Sequence, residues 1–242
     1  MEYFYCQPGN IGKDLIIIDG DEFSHLTHVM RRKEGDEIRV VDGLGNAFDV
    51  RLTQIKKRTA EGTIFNRYKN HNEPVTDLTL AVGILKNPSK FDFLVEKSAE
   101  IGAKKIIPLL TERTIPRHAR IDRWQKLALA AMKQSGRSFL PVITGLISLD
   151  EAISEINRYD LCAVAHEKSE ILNPFHRAKT EPRSVIVLIG PEGGFSDAEI
   201  EKCLSAGATS FAICERRLRT ETAAVISAAL ALYLSPPKPA FS

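Results

Sequence analysis

SVIVLIGPEGGFSDAEIE, residues Ser184 to Glu201, carries an apolar run into a loop with three glycines and then into a helix-start signal. The run is apolar throughout, as a strand buried on both faces of a parallel sheet must be. Gly190 falls where the strand ends and Pro191 restricts the bend. Gly193 and Gly194 allow positive φ and close backbone approach. Ser196, with Glu199 three residues on, spells a capping box. In open α/β sheets, ligands sit outside the carboxyl ends of strands, where this loop lies. The spacing is neither GxGxxG nor GxxxxGK[ST], the fingerprints of dinucleotide and triphosphate sites. The loop has no lysine and carries Glu192, a carboxylate that repels phosphate, so a ligand without phosphate fits better. A tight crossover needing glycines for geometry alone fits this loop equally well.

The surroundings agree with a parallel sheet covered on both faces. Strands are expected at Leu78–Leu85, Lys105–Leu110, Leu161–Ala165, Ser184–Ile189 and Ser210–Cys214. Helices are expected after Ser89 as N-cap with Gly102 past the end, and over Ile121–Arg137, Ser148–Ile156, Ser196–Gly207 and Thr220–Leu234. The first seventy residues have another texture. Leu15–Asp19, Glu37–Asp42, Ala47–Ile55 and Ala60–Tyr68 are short alternating or β-branched strands, interrupted by one helix, Asp21–Arg31. Such a run predicts a small barrel. The polar segment KNHNEPVTD (Lys69–Asp77) separates the two textures, which predicts domains at 1–72 and 73–242.

Composition bounds the function. With 242 residues, 43% hydrophobic and 26% charged, the chain is an ordinary globular one of one large or two small domains. No apolar run is long enough to span a bilayer and the N-terminal residues carry no secretory pattern, so a cytoplasmic protein is expected. Cys6, Cys162, Cys203 and Cys214 form no CxxC pair and no zinc spacing; buried, reduced thiols and no metal are expected. A net charge of +2 does not by itself announce a nucleic-acid partner. Between Glu112 and Arg137, however, seven basic residues face two acids, an excess that suits either phosphate contact or a solvated helix face.

A second cluster, ICERRLRTETAA (Ile213–Ala224), also follows a strand and precedes a helix. Thr220 suits an N-cap, and Glu221 and Thr222 suit a first turn. Arg216, Arg217 and Arg219 oppose the macrodipole there, so they face solvent or an anion.

GPEGGFSDAEIE followed by LRTETAA resembles the RsmE family, 16S ribosomal RNA uridine-N3 methyltransferases of the SPOUT, or trefoil-knot, superfamily. HLTHVMRRKEGDEIRVVDGLGN (His25–Asn46), KFDFLVEKSAEIGAKKIIPL (Lys90–Leu109), KQSGR (Lys133–Arg137) and AHE (Ala165–Glu167) extend the likeness over both halves. One departure is local: Cys214 replaces the usual loop glycine, and Arg217 stands where an aliphatic residue is usual. The resemblance implies a PUA-like N-terminal barrel and a C-terminal α/β domain with a deep knot that binds S-adenosylmethionine. It implies three cofactor loops: Ala165, His166 and Glu167; Leu188, Gly190, Pro191, Glu192, Gly193 and Gly194; and Ile213, Leu218, Arg219 and Thr220. Arg31, Arg32, Arg113, Arg117 and Arg137 are implied RNA contacts, the partner being 16S rRNA or the small subunit. A homodimer with its pocket at the interface is implied as well.

Methyl transfer from a sulfonium is an in-line displacement, so alignment carries much of the rate. The uracil N3 is a weakly acidic imide and needs a base, or donors that stabilise charge on the ring oxygens. Arg137 and Arg219 are the expected donors; Glu192 and Glu221 are the available carboxylates, with Glu221 placed in the catalytic set. Gln134 and Ser135 are candidates to orient the base, and His166 is a lesser candidate proton carrier. The rival readings are a ribose 2′-O-methyltransferase of the same fold, an RNA-binding module without catalysis, and, weakened by the missing fingerprint, a Rossmann-type NAD enzyme.

Overall fold

A computed structural model describes residues 2–170, 174–175 and 182–233, and the chain separates into two compact units. The first takes residues up to Glu73 together with Leu129–Leu140; the second takes Pro74–Ala128 and the chain from Pro141 onward. The first unit is therefore not a single run of chain ending at residue 72, because a segment from the second texture folds with it.

In the first unit, β1 (Tyr3–Tyr5), β2 (Leu15–Asp19), β3 (Glu37–Val41), β4 (Asn46–Ile55) and β5 (Thr59–Lys69) form one sheet in the order β1-β3-β4-β5-β2. β1 and β3 are parallel and the other pairs antiparallel. The period of two sorts the side chains: Ile16 and Ile18 of β2 are buried, while Leu15 and Asp19 are exposed. Register shifts at Asp49/Val50 and Leu52/Gln54 bend the β4–β5 ladder. The sheet curls around Phe4, Ile16, Phe23, Leu26, Ile38 and Val50, all buried in one cluster. The expected helix over Asp21–Arg31 is instead α1 (Gly20–Ser24) running into a π-helical turn, His25–Val29, and Arg31 has the left-handed φ of 52°.

The second unit is built on an all-parallel sheet. Its strands are β6 (Asp77–Gly83), β7 (Lys105–Leu110), β8 (Val142–Ile143), β9 (Ile147–Ser148), β10 (Leu161–Ala165), β11 (Ser184–Ile189) and β12 (Thr209–Phe211). They lie in the order β12-β10-β11-β6-β7-β8, with β9 also paired to β7. The central strand β11 is buried from Val185 to Ile189. α2 (Pro88–Ile101), α4 (Leu149–Ser154), α5 (Asp197–Ser205) and α6 (Thr220–Tyr233) belong to this unit, and α3 (Ile121–Gln134) starts in it.

Helix ends follow local chemistry, with differences in detail from the sequence expectation. The N-cap of α2 is Asn87, not Ser89: its Oδ1 accepts the Ser89 N–H at 3.0 Å, with Pro88 at the first helical position. α3 stops at Gln134 rather than Arg137 because Gly136, at φ 70°, turns the chain. Ser196 and Glu199 form the expected capping box on α5. Thr220 is the first residue of α6 rather than its cap, and the Arg219 carbonyl accepts the Ala223 N–H at 2.8 Å. β12 ends at Phe211, leaving Ala212–Arg219 as a loop.

Candidate functional site

β10 lies between β11 and β12, and all three run parallel, so their carboxyl ends open on one side. The loops leaving those ends line one cavity of about 450 Å³, joined by Lys90 and Arg113. That size falls among the roughly 300–1,000 Å³ of small-molecule sites.

The glycine loop is tight against itself. A Cβ on Gly190 would stand 2.8 Å from the backbone of Gly194 and Phe195, and one on Gly83, where β6 ends, 2.5 Å from the Pro191 nitrogen. Gly194 takes φ 68°. The loop is also held from outside. Arg113 Nη1 donates to the Gly193 carbonyl at 2.7 Å and the Phe195 carbonyl at 3.2 Å. Glu199 accepts the backbone N–H groups of Glu112 at 2.7 Å and Ser196 at 2.8 Å. Glu192 Oε1 accepts the Lys86 N–H at 2.9 Å, so this carboxylate fastens the loop to the turn after β6. Arg113, expected as an RNA contact, is therefore a clamp on the loop.

The third loop and the start of α6 bring charge to the cavity. Glu221 is 8% exposed; its Oε1 lies 3.5 Å from Lys90 Nζ, and its buried Oε2 has no hydrogen-bond partner among the described residues. Arg217 lies 3.7 Å from Glu167. Arg216 and Arg219 are exposed, and their guanidinium groups pair with no carboxylate among the described residues. Glu221 belongs to the cavity lining, and a buried carboxylate oxygen without a donor calls for an explanation. Cys214 lines this cavity, its Sγ 3.3 Å from the Arg216 carbonyl. The other thiols are buried; burial pushes Cys6 and Cys203 up to about 12 and Cys162 further.

Of the expected cofactor residues, all but one line the cavity. Leu188 is 1% exposed inside the sheet, paired with Val164 and Ala81. His166 donates its backbone N–H to the Phe211 carbonyl at 2.8 Å, which ties the first loop to β12. Arg219 and Glu221 meet at the cavity. Arg137 does not line it: Arg137 belongs to the first unit, with Nη2 2.6 Å from Glu73 Oε2 and both side chains 3% exposed. Arg31 and Arg117 are exposed; Arg32 is half-buried, and its Nε has no hydrogen-bond partner among the described residues. Sequence reading missed Lys90, although its position just after the carboxyl end of β6, in the first turn of α2, marks it as a residue at the ligand edge of the sheet. Among the described residues, no group of His, Cys, Asp and Glu is arranged to hold a metal ion.

Residues 71–232 match the model of an RNA methyltransferase domain, and residues 18–65 that of an RNA methyltransferase PUA domain. A relative from Rickettsia conorii, named ribosomal RNA small subunit methyltransferase E, is 31% identical over 206 residues, covering 85% of this chain and 84% of its own. The chain belongs to the ribosomal RNA small subunit methyltransferase E family. A member from Neisseria gonorrhoeae, solved bound to S-adenosylmethionine, superposes with a TM-score of 0.83 at 29% identity, covering 95% of each chain. A methyltransferase from Legionella pneumophila, also solved with this cofactor, reaches 0.81 at 27% identity over 95% of this chain and 96% of its own. The family thus joins an α/β domain of the SPOUT class to a PUA-like domain, the two folds seen here.

Proposed function

We propose that this chain methylates N3 of a uridine in small-subunit ribosomal RNA, using S-adenosylmethionine held in the three-loop cavity of the second unit. The observation that carries the reading is the cavity itself. It is bounded by a glycine loop that a single Cβ at Gly190 would break, and by the buried Glu221 beside Lys90. S-adenosylmethionine fits this chemistry: it offers an ammonium and ribose hydroxyls to the backbone carbonyls of the loops, and it bears no phosphate for Glu192 to repel.

The bound cofactor supplies a methyl group on a sulfonium. The chain's own residues do the rest. The clamp of Arg113 and Glu199 holds the glycine loop in one shape, so that alignment precedes reaction. Glu221 is the acceptor for the N3 proton, with Lys90 holding its other oxygen, and Arg219 donates to a ring oxygen as charge builds there. Arg31, Arg32 and Arg117 contact the RNA, and the division of labour follows the two units: the first, residues up to Glu73 with Leu129–Leu140, binds RNA, and the second carries the methyltransferase cavity. The protein works in the cytoplasm as a homodimer. α6 supports the dimer: TETAAVISAALALY is apolar on every side, yet Ile226 and Leu230 are only half-buried and Tyr233 is exposed.

The test is incubation with small subunits lacking the modification and labelled S-adenosylmethionine, followed by nucleoside mass spectrometry. Label in 3-methyluridine supports the proposal. Label in a ribose-methylated nucleoside replaces it with the 2′-O reading, and no label with cofactor still bound removes this substrate.

A further inference from the structure

Two motifs far apart in sequence, HLTHVMRR (His25–Arg32) and KQSGR (Lys133–Arg137), meet in the first unit. His25, Lys133, Gln134, Ser135 and Gly136 line a second cavity, of about 800 Å³, together with Tyr3 and Asn72. One wall is a turn fixed from several directions. Asn72 Nδ2 donates to the Gly136 carbonyl at 2.9 Å, and Ser138 Oγ to the His71 carbonyl at 2.7 Å. Glu73 Oε1 accepts the backbone N–H groups of Ser138 at 2.9 Å and Phe139 at 2.8 Å. A Cβ at Gly136 would lie 3.2 Å from the Tyr3 ring, at a φ of 70° that already favours glycine.

Against this fixed wall stands a neutral amide. The Gln134 side chain is exposed and its amide makes no hydrogen bond among the described residues. His25 Nδ1 likewise has no hydrogen-bond partner. Lys133 Nζ is held by Glu22, and the Glu2 carboxylate lies 4.0 Å from His25 Nε2. A cavity with no unpaired lysine or arginine in its lining is a poor phosphate site. An amide that both donates and accepts, beside the rings of Tyr3 and His25, is suited to a base edge and a base face.

We propose that this cavity takes the base and ribose of one unpaired nucleotide of the RNA substrate, read by Gln134. The inference rests on the proposed RNA methyltransferase activity and adds a place where the RNA is recognised by its base rather than its backbone. Sequence-selective RNA recognition favours unpaired nucleotides, whose edges and faces are open.

The test uses the full chain and protein-free small-subunit rRNA as probe, with affinity measured over a series of salt concentrations. Two variants lie at exposed positions on the cavity, Gln134→Ala and the space-filling Ala130→Trp. Each is expected to weaken rRNA binding about tenfold, the scale of one lost base contact, with the salt dependence unchanged and S-adenosylmethionine affinity retained by calorimetry. Wild-type affinity in both variants overturns the subsite. So does a fall of about one in the salt slope, which marks a phosphate contact, and so does a matching loss of cofactor affinity, which marks general damage. Failure of the unmodified protein to bind the rRNA overturns the parent reading as well.

Discussion

Arg137 stands between two roles, and its ion pair provides the test. The guanidinium donates to Glu73 Oε2 from Nη2 at 2.6 Å and from Nε at 3.2 Å, inside the first unit, with both side chains 3% exposed. Removing one member of a buried pair leaves the other charge without compensation and costs about 3–5 kcal/mol, against about 5–15 kcal/mol for the stability of a whole domain. Arg137→Met is therefore expected to raise the unfolded fraction of this unit by about two to three and a half powers of ten. Glu73→Gln on top of it is expected to recover most of the loss. The glutamine Oε1 still accepts the Ser138 and Phe139 N–H groups while the stranded negative charge disappears. Because the only tryptophan, Trp124, lies in the other unit, fluorescence is the wrong probe. Hydrogen exchange of the β3 and β4 amides reads the first unit directly. Fast exchange in the single variant and near-native exchange in the double variant is the expected pattern. Native exchange in Arg137→Met, with methylation of small subunits abolished, would refute the structural reading and return Arg137 to the reaction.

Gly190→Ala is expected to weaken S-adenosylmethionine binding more than tenfold by calorimetry, because its Cβ meets the loop backbone at 2.8 Å. Gly145→Ala, with nothing within 4 Å of the added Cβ, is the silent control. At pH 8, iodoacetamide is expected to label Cys214 alone in the folded protein, since burial holds Cys6 and Cys203 at about 12 and Cys162 higher; peptide mass spectrometry counts the adducts. Ile226→Glu on the half-buried side of α6 is expected to convert a dimer to a monomer in sedimentation velocity. His71 is held below its ordinary 6.5 by burial and then by Arg39, and its Nε2 faces Tyr3 Oη at 2.9 Å and Arg39 Nη1 at 3.3 Å. Below pH 6.5 the unfolded chain takes a proton that the folded one refuses, so stability falls on acidification. Melting temperatures from pH 7 to pH 5 are expected to drop less steeply in His71→Gln.

What the sequence made legible was whatever is written locally. Strand β11, its glycine loop and the Ser196–Glu199 box lie within eighteen consecutive residues, and each piece constrains the next, so reading and structure coincide there. β8 and β9 have two residues each and β1 three, too few to show a period; they exist only because distant strands offer them hydrogen bonds. The same cause hid the fate of the basic stretch. As a row of charges, Arg113 to Arg137 suits either phosphate contact or a solvated helix face. In the fold its members are drawn to separate acceptors: Arg113 to the Gly193 carbonyl, Arg123 to Asp92, Lys133 to Glu22 and Arg137 to Glu73. None of those acceptors is within thirty residues of its partner except in the tertiary structure, so spacing along the chain carries no trace of the pairing. A cation's role is fixed by the anion or carbonyl it meets. The residues of this stretch that remain for RNA are those that meet neither, and Arg117, exposed and without an ion pair among the described residues, is the one to mutate first. Arg117→Ala is expected to lower the salt slope of rRNA binding by about one, whereas Arg113→Met is expected to raise the S-adenosylmethionine dissociation constant and leave that slope alone. The opposite pattern would mean that the clamp on Gly193 does not govern the cavity.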